Sequence, residues 1–178
     1  MEFYIGFGIV LVLAVWVIGV SNSLNRAIVK IREADSGIDV ALVKRYDILT
    51  KMIDTVKGYA QHEKETLFEV INLRNGMTTD EKVNENQKMD NNFKKIKAIV
   101  ENYPELKASE NYMVLQKSIL DVEEHLQAAR RMYNSNVSLY NQAIVTFPKS
   151  VIAGVKGLKA EQFFEAEAYK KEDVKIEL

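Results

Sequence analysis

An all-α fold is predicted for this chain: an N-terminal transmembrane helix, then an antiparallel helical bundle of three long helices plus a short C-terminal helix. Three observations predict it. Residues Phe3 to Val20 form one apolar run without a charged side chain, the apolar residues of the remaining chain recur at steps of three and four, and the only prolines among 178 residues are Pro104 and Pro148.

The apolar run comes first. Eighteen helical residues reach about 27 Å, close to the ~30 Å hydrocarbon core of a bilayer. Two readings compete with a membrane span. A buried core helix normally keeps a polar face, and a cleaved secretory signal has a basic n-region and a shorter apolar segment, of about 7–15 residues. Here Glu2 is the only charged side chain before the run, so an uncleaved anchor is the better fit. Phe3, Tyr4 and Phe7 near one end and Trp16 near the other suit the two interfaces. Arg26, Lys30 and Arg32 follow the run, which by the positive-inside bias puts the first residues outside and the helical body in the cytoplasm, at the inner face of the cell membrane. With Lys44 and Arg45 they form a basic collar able to meet anionic headgroups.

Residues 21–33 contain no proline, so the span is able to continue into the body. The first body helix is predicted over 35–74, on a stripe of Ile38, Leu42, Leu49, Ile53, Val56, Ala60, Leu67 and Val70, with Arg45, Glu63 and Arg74 in the same stripe. Gly37 and Gly58 weaken it by about 1 kcal/mol each relative to alanine without forbidding it. Asn75-Gly76 is a stop signal, and Thr78-Thr79-Asp80-Glu81 offers capping oxygens and early negative charge. A second helix follows on Val83, Met89, Phe93, Ile96 and Val100, with Asn, Lys and Asp assigned to its surface.

Tyr103-Pro104 interrupts that helix, because proline disfavours helical geometry at the residue before it. The third helix starts near Ser109 or Glu110. Its stripe is Tyr112, Leu115, Ile119, Val122, Leu126, Ala129, Tyr133, Asn136, Tyr140, Ala143 and Phe147. Pro148 ends it or opens the next segment, Lys149 to Val155, and a short fourth helix is predicted at Ala160–Tyr169, with Phe163-Phe164 as its apolar anchor. The expected organisation is therefore an anchor over 1–22, a bundle over 23–169 and a charged tail over 170–178.

Composition and motifs restrict the function. With 25 acidic and 24 basic residues there is no global field to attract nucleic acid, and with no cysteine there is no thiolate nucleophile or thiolate metal site. Only His62 and His125 are present, and neither has a glutamate three residues before it, as a di-iron bundle requires. His62-Glu63 starts like a zinc-protease helix but lacks the second histidine. Asp121 and His125 lie one turn apart, which fits a solvated pair far better than an ion site. Nucleophile elbows and glycine-rich phosphate loops are missing. No catalytic, cofactor-binding or metal-binding residue is assigned, and no cofactor is expected.

The polar residues on or beside the stripes are Arg45, Glu63, Arg74, Glu123, Arg130 and Asn136, joined by Tyr46, Tyr133 and Tyr140. Paired internally, they would fix the register of long helices; lining a groove, they would receive a partner helix or peptide.

Two segments carry a resemblance. Ile38-Asp39-Val40-Ala41-Leu42-Val43-Lys44-Arg45-Tyr46-Asp47-Ile48-Leu49, continued by Thr55 to Glu63, resembles the first long helix of the bacterial LemA family. Ala129-Arg130-Arg131-Met132-Tyr133-Asn134, Tyr140-Asn141, Phe147-Pro148 and Phe163-Phe164-Glu165 resemble its C-terminal half. Thr50 stands where that family usually has a proline, and Asp35 where it usually has an aromatic. The resemblance implies a single-span membrane protein with a helical bundle and no established catalytic activity. The expected partners are the lipid bilayer, a second copy (a homo-oligomer) or another membrane protein, and not nucleic acid. The expected function is a non-enzymatic, membrane-anchored scaffold; the alternative is an accessory docking factor for membrane-protein quality control or envelope stress signalling, presenting the His62 to Arg74 stretch.

Overall fold

The computed structural model describes residues 1–59 and 68–164. The helices are α1 (Glu2–Tyr59), α2 (Thr79–Glu101), α3 (Pro104–Lys107), α4 (Glu110–Val145) and α5 (Lys149–Val155), and the described residues contain no strand. The all-α bundle expected from periodicity is what forms. Ala60, Glu63, Leu67 and the His62 motif, together with residues 165–178, lie outside the described residues. The chain divides into two compact units, one of residues 1–36 with 131–163, the other of 37–130 with Phe164.

The helix α1 passes through Gly37, Thr50 and Gly58 without interruption. At Thr50 the side-chain hydroxyl donates to the Tyr46 carbonyl at 3.0 Å, and unlike a proline the residue retains its own N–H for the helix. Phe3 to Trp16 expose their side chains, and little of the apolar window is buried, so the core-helix reading of this run does not hold.

In the second unit, Ile48, Leu49, Met52 and Val56 of α1 pack with Met89, Ile96, Ile99 and Val100 of α2, Leu106 of α3 and Tyr112, Ile119 and Val122 of α4. Leu106 is fully buried on a single turn opened by Pro104, and Ser109 Oγ then accepts from the Tyr112 N–H at 3.3 Å to start α4. Two pairings give the helix directions. Arg45 meets Glu123 while Gly37 faces Ala129, so α4 runs antiparallel to α1. Asp39 meets Lys82 and Arg45 meets Asp90, so α2 runs in the same direction as α1.

The return between those parallel helices corrects the predicted helix over 35–74. The described part of α1 reaches Tyr59, and 68–78 is non-helical. Burial there alternates: Ile71 and Leu73 face inward, while Val70, assigned to the stripe, is 74% exposed and Arg74 is exposed too. Side chains of α2 take over the backbone groups that a helix would have satisfied internally. Asn92 Oδ1 accepts from the Glu69 N–H at 2.8 Å, Asn92 Nδ2 donates to the Glu69 carbonyl at 2.9 Å, and Glu85 Oε2 accepts from the Asn72 N–H at 2.8 Å. The segment ends in Gly76, at φ +74°, a conformation that favours glycine. Thr78 then caps α2 with a full capping box, Glu81 N–H to Thr78 Oγ1 and Thr78 N–H to Glu81 Oε2. That bond, helped by Arg74, holds the Glu81 carboxyl below its ordinary value.

In the first unit, Val20 and Leu24 pack with Ala153, flanked by Ala143, Ile144, Ile152 and Leu158. The stripe of α4 is as predicted as far as Ala143, with the addition of Val137, which is fully buried. Phe147 falls beyond the helix end and is exposed. The helix predicted at Ala160–Tyr169 is not formed over 160–164, and 165–169 lie outside the described residues. The backbone after Gly157 (φ +63°) is instead fastened to α4 as an extended strap. Tyr140 OH donates to the Lys159 carbonyl at 3.0 Å, Tyr133 OH to the Gln162 carbonyl at 3.2 Å, and Asn141 both accepts from and donates to the Glu161 backbone at 2.9 Å.

Candidate functional site

The densest polar constellation is a buried seam in the second unit. It arises because α2 turns polar residues into its own stripe: Lys82, Glu85, Asn86 and Asn92 share the helical spacing of Met89, Ile96, Ile99 and Val100 and are buried with them. The surface assignment of these Asn and Lys residues is thereby corrected. The spacing 82, 85, 86, 89 was the available signal, and its polar composition concealed it.

Arg45 lies at the centre, 3% exposed. Its guanidinium donates to Asn86 Oδ1 and Asp90 Oδ1, and Glu123 Oε2 lies 2.9 Å away. Glu123 Oε2 makes no directed hydrogen bond, so its contribution is chiefly Coulombic, while Glu123 Oε1 accepts from Gln127 at 3.1 Å. A desolvated guanidinium is stable there because two carboxylates and an amide surround it. Arg45 therefore does not belong to the basic collar. Lys82 reaches from the interior to Asp39 at 2.7 Å, and Lys88 meets Glu85 at 2.7 Å.

An open groove of about 380 Å³ lies beside this seam, between Asp90, Phe93 and Lys94 of α2 and Ile119, Leu120 and Glu123 of α4. Its apolar floor and charged rim suit a peptide or helix surface. With its charge met by internal partners, Arg45 braces α1, α2 and α4, and only a small edge of it lines the groove.

The remaining sequence-selected residues separate. Arg74 pairs with Glu81 on the surface, and Tyr46 is exposed on α1. The Arg130 guanidinium sits 4.8 Å above the Phe164 ring, a cation–π contact with a buried aromatic. Asn136 Nδ2 donates to the Lys30 carbonyl at 3.0 Å, and Tyr133 and Tyr140 hold the strap. The His125 ring bonds the Asp121 main-chain carbonyl at 2.6 Å and not its carboxylate. Among the described residues no cluster of acidic groups or histidines could hold a metal ion.

Burial, with the Glu161 carboxylate adding, raises the Tyr140 phenol above its ordinary value, and burial alone raises Tyr112. For Tyr140 the stabilising proton is fully present below the unfolded value of about 10 and is lost as pH rises through the higher folded value. The strap is therefore expected to hold at neutral pH and release only in strong alkali. An absorbance titration of tyrosinate is expected to show two late phenols, one of which disappears in Tyr140→Phe; an early-titrating Tyr140 would contradict this assignment.

In the first unit, Arg26, Lys30 and Lys149 line a groove of about 340 Å³ with Ser23, Asn136 and Leu139. Lys149 was not selected from the sequence, since only folding brings it to α1. Lys156, also missed, donates to Ser21 Oγ at 3.0 Å and Asn25 Oδ1 at 2.7 Å.

Comparison with known proteins gives these contacts a family context. The profile described as the LemA family matches residues 34–178. Protein LemA of Metamycoplasma hominis is 29% identical over 162 residues, 88% of this chain and 74% of that protein. Magnetosome protein MamQ of Magnetospirillum gryphiswaldense is 30% identical over 70 residues, 39% of this chain and 26% of that protein. Magnetosome protein MamQ 2 of Paramagnetospirillum magneticum is 28% identical over 71 residues, 40% of this chain and 26% of that protein. The chain thus spans about a quarter of the MamQ proteins, and none of these names states an enzymatic activity. An exposed apolar helix long enough to cross a bilayer makes this a membrane-associated protein. Its family profile covers most of the remaining residues, and on that match the chain belongs to the LemA family.

Proposed function

We propose that this protein is a non-enzymatic, membrane-anchored helical scaffold that binds a second copy of itself or another membrane protein at the inner face of the cell membrane. Residues 1–22 are its anchor, 23–169 its bundle and 170–178 a tail. The observation that carries this reading is α1 itself: its first part exposes an apolar face suited to lipid, and its later part supplies Leu49, Met52 and Val56 to a packed core. Arg26, Lys30, Arg32 and Lys44 support a cytoplasmic body by the positive-inside bias. The groove beside Phe93 and Leu120 is the surface for a partner.

The accessory-factor reading draws on the alternating 68–74 segment, which exposes both Val70 and Arg74. One experiment addresses both. A photocrosslinking residue is placed at exposed Leu120, and another at Val70, in the full chain in cells, and adducts are identified by mass spectrometry. Adducts at Leu120 to this chain or to a membrane protein are expected. Adducts confined to Val70 would favour the docking factor, and a strictly monomeric, adduct-free protein would overturn the scaffold.

A further inference from the structure

The turn between α4 and α5 exposes apolar side chains at a place where water is a poor neighbour for them. Val145 and Val151 are well exposed, Phe147 is 79% exposed and Val155 84%. Val151 and Val155 are four residues apart on α5, a spacing that places them on one side of the helix, and Phe147 precedes them in the turn. The opposite side of α5 is packed: Ala153, with Ile152 beside it, contacts Val20 and Leu24. Val20 is the last residue of the apolar run, and Lys156 is bonded to Ser21 and Asn25 just beyond it. The helix α5 is therefore held at the level where the span leaves the hydrocarbon.

Cations accompany that apolar edge. The groove of Arg26, Lys30 and Lys149 contains three positive side chains, and none of the three has a carboxylate partner among the described residues. Arg26 lies six residues past Val20, about 9 Å along the helix axis. A headgroup layer is roughly 5–8 Å thick on each side of the bilayer, and a long cationic side chain spans the difference. An apolar edge flanked by cations that have no carboxylate partner among the described residues, continuous with a membrane span, is complementary to an anionic lipid surface.

We propose that the α4–α5 corner is a second membrane contact, in which Phe147, Val151 and Val155 enter the interfacial layer of the leaflet at the span exit while Arg26, Lys30 and Lys149 hold the phosphate of an anionic phospholipid. The contact rests on the anchor reading and extends it from a single peg to a peg with a foot. It also gives Lys149 and Lys156 a common purpose, which is to keep α5 against the bilayer surface.

The absence of cysteine permits single labels in the full chain. Fluorescent labels at Val151→Cys and Val155→Cys are compared with Leu11→Cys in the span and Met132→Cys on exposed α4, in nanodiscs of phosphatidylcholine and phosphatidylglycerol. Labels at 11, 151 and 155 are expected to be shielded from a neutral aqueous quencher and reached by nitroxide lipids, with 132 behaving oppositely. Quenching at 151 is expected to be stronger from nitroxide phosphatidylglycerol than from equally labelled phosphatidylcholine. The combined R26Q, K30Q and K149Q variant is expected to reduce that preference by roughly fivefold or more, the effect of even one near-surface charge. Shielding at 11 with open access at 151 and 155 would overturn the foot and leave the anchor standing. Open access at 11 as well would overturn both, and a preference for phosphatidylglycerol unchanged in the triple variant would overturn the cationic groove.

Discussion

Arg45→Ala is expected to destabilise the second unit by about 3–5 kcal/mol, the usual penalty for removing one partner of a buried charge pair. The loss comes less from the missing attraction than from what remains: Asp90 and Asn86 lose the charged donor that faces them, and Glu123 loses its counter-charge. Chemical unfolding of the full chain in detergent, followed by circular dichroism, measures this. Arg45→Lys is expected to recover only part of the loss, since one ammonium cannot replace the two guanidinium arms that reach Asn86 and Asp90 separately. Arg45→Met combined with Asn86→Leu, Asp90→Leu and Glu123→Leu is expected to be less damaging than Arg45→Ala, because the groups that face the guanidinium are removed with it. A loss below 1 kcal/mol for Arg45→Ala would mean that water or a rearranged side chain takes over the seam, and the bracing role would be withdrawn.

The second large effect is expected at Asn92, which is fully buried and pairs with both backbone groups of Glu69. Asn92→Ala leaves an N–H and a carbonyl without partners, at about 1–3 kcal/mol each where water is excluded. A total near 2–4 kcal/mol is expected, with faster amide exchange over 68–73 as its local sign. The protein carries its own control. Asn141 makes the same two bonds to Glu161 on an exposed surface, where water can replace the amide, so Asn141→Ala is expected to lose less than about 1 kcal/mol. Equal losses at the two sites would show that burial is not what sets the difference.

Much of the fold could be read from local pattern. The α4 stripe from Tyr112 to Ala143, the Thr78–Glu81 cap and the continuation of α1 through Gly37 and Gly58 each depend on residues within a turn or two. Where reading by periodicity failed, the deciding partner lay far away in sequence. Val70 looked like another stripe position, yet Glu69 and Asn72 are held by Asn92 and Glu85 on another element. The segment after Gly157 looked helical, yet its carbonyls are taken by Tyr133, Tyr140 and Asn141. Spacing placed Arg45 in the stripe as well as in the basic collar, but its partners Asn86, Asp90 and Glu123 lie on two other helices and had no local signal.

The sequence by itself determined the lipid-facing run, the helical class and the start of most helices, because each follows from side-chain spacing along one stretch of backbone. Only the tertiary structure decided that α2 runs alongside α1 in the same direction, that polar residues fill half of its inner stripe, and that Lys149 joins Arg26 and Lys30. Lys149 reaches Arg26 and Lys30 because Ala153 of α5 packs on Val20 and Leu24 of α1, and the other two share one physical reason. A buried charge or an unpaired backbone group must find a partner wherever folding brings one, and that partner's position is not encoded in the local period.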